Sequence, residues 1–141
     1  MKTNIRTFKV SLDIHGVIDE LPVFFSAFSK SLVDSGMELH IVTGGSIERA
    51  KRELKLHNIT YTHLFSILDY HVENGTPTFG NHPKYGFPMI DDAIWDQTKS
   101  KYCEDHDIDL HIDDTVAYGD SFTTPFSKLW TKTKGIKPKN K

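Results

Sequence analysis

Phe8-Lys9-Val10-Ser11-Leu12-Asp13-Ile14-His15-Gly16-Val17-Ile18-Asp19 is the stretch on which the fold turns. Val10, Leu12 and Ile14 are apolar and alternate with Ser11 and Asp13, the period of a strand, so a strand is predicted over Phe8–Ile14. The run ends on Asp13-Ile14-His15-Gly16, which puts an acidic residue at the strand's C-terminal edge.

Outward from there, Leu21, Phe24, Phe25, Phe28, Leu32 and Val33 recur every three or four positions before Gly36, predicting a helix over Leu21–Ser35. Met37–Thr43 is short and apolar at Leu39, Ile41 and Val42, and Gly44-Gly45-Ser46 follows it. That reads as a second strand feeding a glycine turn, with Ser46 capping a helix over Ile47–His57. Ile59–Val72 suits either a buried strand or a short helix plus strand. Glu73–Met89 carries Gly75, Pro77, Gly80, Pro83, Gly86 and Pro88, which predict a long loop or a minor hairpin. Asp91 or Asp92 then caps a helix to about His106, with Trp95, Lys99, Tyr102, Cys103 and His106 along one face. A buried strand over Ile108–Ile112 ends on Asp113-Asp114, and Phe126–Trp130 makes a last strand. Strand and helix alternate along most of the chain, so the expected architecture is α/β: a Rossmann-like parallel sheet with helices on both faces and a site at the strands' C-terminal ends.

The 141 residues, 38% hydrophobic and 26% charged, suit one domain over residues 1–131. Residues 132–141, with Lys132, Lys134, Lys137, Lys139 and Lys141, read as a basic, disordered tail. A net charge of -2 calls for neither a nucleic-acid footprint nor a membrane surface. Cys103 is the only cysteine, which excludes an intrachain disulfide and a CxxC pair. No apolar run is long enough to span a bilayer, so a cytoplasmic, soluble protein is expected.

Asp13, Thr43 and the pair Asp113 and Asp114 each end a predicted strand, and in a parallel sheet those ends converge. Converging carboxylates repel unless a hard cation lies between them, and Mg²⁺ held by carboxylates, water and phosphate oxygens meets that demand. A phosphoryl group also needs donors: Thr43 with the backbone amides after it supplies a hydroxyl and N–H groups at a helix start, and Lys99 a fixed positive charge.

Taken in order, Asp13-Ile14-His15-Gly16-Val17-Ile18-Asp19, Thr43-Gly44, a lysine on the preceding helix and Ile112-Asp113-Asp114 resemble the four motifs of the haloacid dehalogenase (HAD) superfamily, from about Phe8 to Trp130. The resemblance implies a phosphatase acting on small phosphate monoesters. Asp13 attacks phosphorus to form an aspartyl-phosphate that water then hydrolyses. Thr43, Gly44 and Lys99 hold the transferring group; Lys101 is the competing lysine and Lys84 a distant one. Mg²⁺ is bound by the Asp13 carboxylate, the His15 backbone carbonyl and Asp114, with Asp113 alongside.

Two positions depart from that pattern. The usual acid and base, an aspartate two residues after the nucleophile, is His15 here; imidazole titrates near neutrality and is competent for that role. The alternative is a catalytically weak phosphate-binding or scaffold protein of the same fold. The Asp13 to Thr43 interval holds one helix and no large cap, so a minimal cap and an open site are expected. Tyr61, Phe65, Tyr70, Phe79, Tyr85 and Phe87 are available to stack on a base, which keeps nucleotides among the substrates, though core packing explains these rings equally well. A response-regulator receiver would place its acidic pair first, a dinucleotide fold would need GxGxxG, and the histidines show no HExxH spacing or cysteine partners for zinc. Asp19 and Asp120 have roles open to them beside the nucleophile and the metal, but read more simply as solvated acids or caps.

Overall fold

The computed structural model describes residues 7–114 and 121–129. The basic tail, Asp120 and Trp130 lie outside them. The elements are β1 (Lys9–Leu12), α1 (Pro22–Asp34), β2 (Glu38–Thr43), α2 (Ile47–Leu56), β3 (His63–Ser66), α3 (Ile67–Glu73), α4 (Asp92–Asp105), β4 (Leu110–Asp113) and β5 (Phe126–Lys128). The five strands form one sheet in the order β3-β2-β1-β4-β5, and every pairing is parallel. The chain builds outward from β1 through β2 to β3, then returns to lay β4 and β5 on the other side of β1. Strand order therefore reverses between β1 and β4, where the carboxyl ends of a parallel sheet open a crevice.

β1 is shorter than the alternation predicts because Asp13 diverts the chain. Its Oδ1 accepts the Ile14 N–H at 2.8 Å, while its own N–H still donates to the Ile112 carbonyl at 3.2 Å. The nucleophile candidate is thus pinned to β4 at the point where β1 leaves the sheet. A wide turn over Ile14–Ile18 follows, closed by the Asp19 N–H on the Ile14 carbonyl at 3.1 Å. Within it His15 (φ -75°, ψ 126°) and Gly16 (φ 82°, ψ -3°) have the two central conformations of a type II turn. A side chain at Gly16 would cost about 1–2 kcal/mol in the left-handed region.

α1 starts on Pro22, suited to the first helical turn because its missing N–H has no partner there. Ser46 caps α2 by accepting the Arg49 N–H at 3.2 Å. The ambiguous Ile59–Val72 stretch resolves as strand then helix, with Ser66 as the cap of α3. The glycine- and proline-rich segment contains a small hairpin, joined by Phe79 N–H to Met89 carbonyl (2.9 Å) and His82 N–H to Phe87 carbonyl (2.7 Å). Asp91 caps α4 by accepting from the Ala93 and Ile94 N–H groups. β4 begins two residues later than Ile108 because Ile108 finishes α4: Asp107 turns left-handed (φ 54°) and the Ile108 N–H returns to the Cys103 carbonyl at 2.9 Å. This is a Schellman closure with its hydrophobic contact between Ile108 and Cys103. Asn58 and Ile59 end α2 in the same way.

Val10, Leu12, Leu39 and Ile41 pack with Phe25 of α1 and with Ala50 and Leu54 of α2. Val42 joins Tyr102, Cys103 and Ile108 in a second cluster at α4. Full burial of each large aliphatic chain contributes roughly 1.5–3 kcal/mol, so these contacts fix which way each strand faces. No helix among the described residues is long and apolar enough to cross a membrane.

The polar interior predicts an acid-sensitive fold. His40, His71 and His111 are buried, and burial first of all holds each below the ordinary histidine value of 6.5. A depressed folded-state value means the unfolded chain binds more protons, so this stabilisation is complete above pH 6.5 and is lost as pH falls below it. In Asp13→Asn, which removes a buried carboxyl whose titration opposes that of the histidines, the thermal midpoint should drop progressively between pH 7.5 and 5; a flat profile there would show that the histidines titrate alike in both states.

Candidate active site

Asp13 follows β1, Thr43 ends β2, Asp113 ends β4 and Asp114 follows it, so the sheet brings together the acids and hydroxyl that the sequence placed at separate strand ends. Carboxylate oxygens of Asp13, Asp113 and Asp114 all lie within 4.8 Å of one another. Lys99 reaches into this group from α4. Its ammonium, 1% exposed, lies 3.2 Å from Asp13 Oδ2 and donates to Asp113 Oδ2 at 2.8 Å. Helical phase decides between the candidate lysines: Lys99 faces the sheet, whereas Lys101 points outward and pairs with Asp105 at 3.0 Å. Lys84 lies in the hairpin, over the Tyr85 ring.

The two buried acids are tuned in opposite directions. Burial pushes the Asp13 carboxyl up to about 6, with the Asp113 charge adding to it, while Lys99 pulls the other way. Burial also acts to raise Asp113, but the hydrogen bond from His111 and the charge of Lys99 outweigh it and hold this carboxyl well below the usual range. Asp113 is therefore an acceptor only, and its partners fix the rest of a buried chain. His111 Nε2 donates to Asp113 Oδ2 at 2.9 Å, so Nδ1 accepts from the Ser11 hydroxyl at 2.6 Å. Cys103, whose thiol burial pushes up to about 11, stands 3.5 Å from Ser11 Oγ. Asp113 Oδ1 meanwhile accepts the Asp114 N–H at 2.8 Å. Both oxygens of Asp113 are thus committed to holding Lys99, His111 and the backbone.

With His111 neutral, these side chains set three carboxylates against one ammonium. Were a divalent cation held here, the all-oxygen donor set would suit Mg²⁺ rather than a softer metal. Asp13 and Asp114 would be its readier carboxylate ligands than Asp113, three of whose four lone-pair sites accept from Lys99, His111 and the Asp114 N–H.

The donors for an anion are narrower than a bare helix start would offer. Thr43 Oγ1 accepts the Gly45 N–H at 3.4 Å, so hydroxyl and amide converge in the turn. Asp69 Oδ2 accepts the Ile47 N–H at 3.0 Å, and Ser46 takes that of Arg49. A carboxylate of the protein's own thus already occupies the first turn of α2, leaving Thr43, Gly44 and Gly45 as the anion-facing part. Gly44 also has a packing reason for its identity: an added Cβ would stand 3.0 Å from the Trp95 ring.

His15 faces a different pair of acids, Asp19 and Glu53. Its ring is 45% exposed, with Nδ1 3.2 Å from Asp19 Oδ2 and Nε2 3.3 Å from Glu53 Oε1. Asp19 also accepts the Gly16 N–H through Oδ1 at 2.7 Å, which ties the turn after Asp13 to its own end. Asp19 thereby orients the loop, as one of its two sequence readings allows. Ser11, His111, Glu53 and Asp69 were not among the expected site residues. Only His111 carries a sequence signal, its position two residues before Asp113, which puts both on one strand face.

Two further features are separate from this crevice. Glu38, His40 and His63 lie close enough to share an ion, but the two imidazoles are stacked with centroids 4.0 Å apart and planes at 3°. One ion cannot lie in both ring planes, and His40 is already bonded to Tyr102 and Glu38. A cavity of about 400 Å³, walled by Phe65, Tyr70, Ile94, Thr98 and Tyr102, sits on the side of α4 away from Lys99. No protein-family model, curated protein or solved structure matches the chain.

Proposed function

We propose that the protein is a Mg²⁺-dependent phosphohydrolase of the HAD type that cleaves small phosphate monoesters through an aspartyl-phosphate on Asp13. The observation that carries this reading is the Lys99 ammonium between Asp13 and Asp113 at the reversal of strand order, with Thr43 on the neighbouring strand end. Contacts of β1 with α1 and α2 through Val10 and Leu12, and with α4 through Ser11, support the finer architecture of helices on both faces.

Asp13 supplies the attacking oxygen, and the Thr43 hydroxyl, itself accepting the Gly45 N–H, orients the phosphoryl oxygens with the Gly44 amide. Lys99 neutralises charge as the bond to the leaving oxygen breaks. Asp113 keeps Lys99 in place, and His111 and Ser11 keep Asp113 from rotating. Mg²⁺, held by Asp13, Asp114 and the His15 carbonyl, would offset the negative charge shared by the carboxylates and the ester. His15 is the group that protonates the leaving oxygen and then takes a proton from water. To do so its ring must exchange a carboxylate partner for the substrate.

That requirement favours a second reading, a phosphate-binding relative with slow turnover. Phosphate release from nucleotides, sugar phosphates and an aryl phosphate, with Mg²⁺ or EDTA, separates the two. Release that needs both Mg²⁺ and Asp13 supports the hydrolase. Mg²⁺ binding without release, together with a large gain of turnover in His15→Asp, supports the weaker relative.

A further inference from the structure

The hairpin between α3 and α4 does not drift in solvent; it lays a row of rings against the glycine turn. Trp95 rests on Gly44, where the added Cβ would stand 3.0 Å from its six-membered ring. Phe87 lies nearly parallel to Trp95, at 6.3 Å and 16°. Tyr85 lies nearly parallel to Phe87, at 6.2 Å and 7°, and His82 stacks on both. Arg49 closes the circuit from α2, its Cζ 5.5 Å from the Tyr85 centroid and its Cδ 3.9 Å from the Cβ position of Gly45. Lys84 Nζ approaches the same ring at 5.2 Å. The Thr43-Gly44-Gly45 turn is therefore flanked by aromatic faces that carry two cations at their outer end.

Packing alone does not ask for this arrangement. Tyr85 remains 53% exposed although Arg49 and Lys84 both approach its ring, and Phe79 on the same hairpin is 55% exposed. Exposed aromatic surface beside positive charge suits a ligand that is both aromatic and anionic. The only segment of a phosphate monoester long enough to reach them from Thr43 is its leaving group.

We propose that the hairpin ring row, with Tyr85 at its exposed end and Arg49 beside it, is the recognition surface for a nucleoside leaving group, making nucleoside monophosphates the preferred substrate class. This rests on the phosphohydrolase reading of the Asp13 site and adds the specificity to it. The base stacks on the exposed surface of Tyr85, the ribose spans the glycine turn, and Lys84 together with Arg49, which Glu53 approaches at 3.5 Å, supplies the field that favours the dianionic ester.

The test compares adenosine and uridine 5′-monophosphates with glycerol 3-phosphate, in the wild type and in Tyr85→Leu, which keeps apolar volume but removes the ring. The kcat/KM ratio of nucleotide to glycerol phosphate should fall roughly 10- to 100-fold in Tyr85→Leu, expressed mainly in KM, since one stacked base contributes about that factor. A ratio that does not change while both esters are hydrolysed overturns the recognition surface and leaves the hydrolase standing. If no ester is hydrolysed, the hydrolase reading fails by itself, and calorimetric titration of the same nucleotides decides the surface. Nucleotide binding that weakens in Tyr85→Leu supports it; no nucleotide binding, or binding indifferent to Tyr85, overturns it. Arg49→Gln, which keeps the stem against Gly45, should weaken nucleotide binding and lessen its salt dependence.

Discussion

Asp13→Asn should lower phosphate release by about four orders of magnitude and at the same time raise the thermal midpoint at pH 7.5. The first effect follows from losing the nucleophile, for which comparable single deletions in covalent catalysis give factors of roughly 10⁴ or more. The second follows from burial. The folded carboxyl is raised to about 6, above its ordinary value of 3.8, so its contribution to stability is present below pH 3.8 and is lost as pH rises through 6. Above that point the wild type carries an ionised, desolvated acid; asparagine does not titrate and keeps the shape. The gain is on the order of 1–3 kcal/mol at pH 7.5 and should vanish near pH 4. Thermal denaturation at the two pH values, without added metal, checks it. A variant destabilised at both would mean that attraction to Lys99 outweighs the burial cost.

Lys99→Met should have the largest effect on folding of any single substitution at the site. The ammonium is the counter-charge shared by Asp13 and Asp113, both buried, and removing one member of a buried ion cluster costs about 3–5 kcal/mol. Against a total of about 5–15 kcal/mol, that is enough to populate unfolded chain at neutral pH. Urea denaturation measures it directly. Adding Asp13→Asn to Lys99→Met should restore part of the loss, because one of the two carboxylates that faced the ammonium is then gone; simple additivity would argue against a shared charge network. Lys101→Met, two residues away but exposed and paired with Asp105, should leave phosphate release intact.

The sequence carried the elements of the site well where the signal was local. The alternation around Asp13, the capping serine at Ser46, the acid before α4 and the polar residues ending β1, β2 and β4 are written in residues a few positions apart. Helical phase favoured Lys99 over Lys101, but it took the structure to put Lys99 between the acids and Lys101 outside. What the sequence could not show is what depends on register between distant strands. Ser11 and His111 are paired partners on β1 and β4, one hundred residues apart; Ser11 alone reads as an ordinary packing residue, and only the place of His111 two residues before Asp113 hints at its part. Asp69 at the start of α2, and Glu53 against His15, are likewise long-range choices that no spacing announces. The ring row is intermediate: the aromatics were visible between residues 60 and 90, but only the hairpin bonds separate Tyr85 and Phe87 from Phe65 and Tyr70, which face the far side of α4.

The central place of β1 also bears on how the chain is born. Its two neighbours are β2, which is synthesised soon after it, and β4, which emerges about one hundred residues later. Until then a nascent polypeptide ending near residue 75 has one flank of β1 bare, a row of unsatisfied amides and carbonyls beside Val10 and Leu12 that invites pairing with another chain. A stop codon placed after α3 is thus expected to give inclusion bodies rather than a smaller folded fragment, whereas a polypeptide that continues through β4 closes that flank and places Lys99 between its acids in the same step.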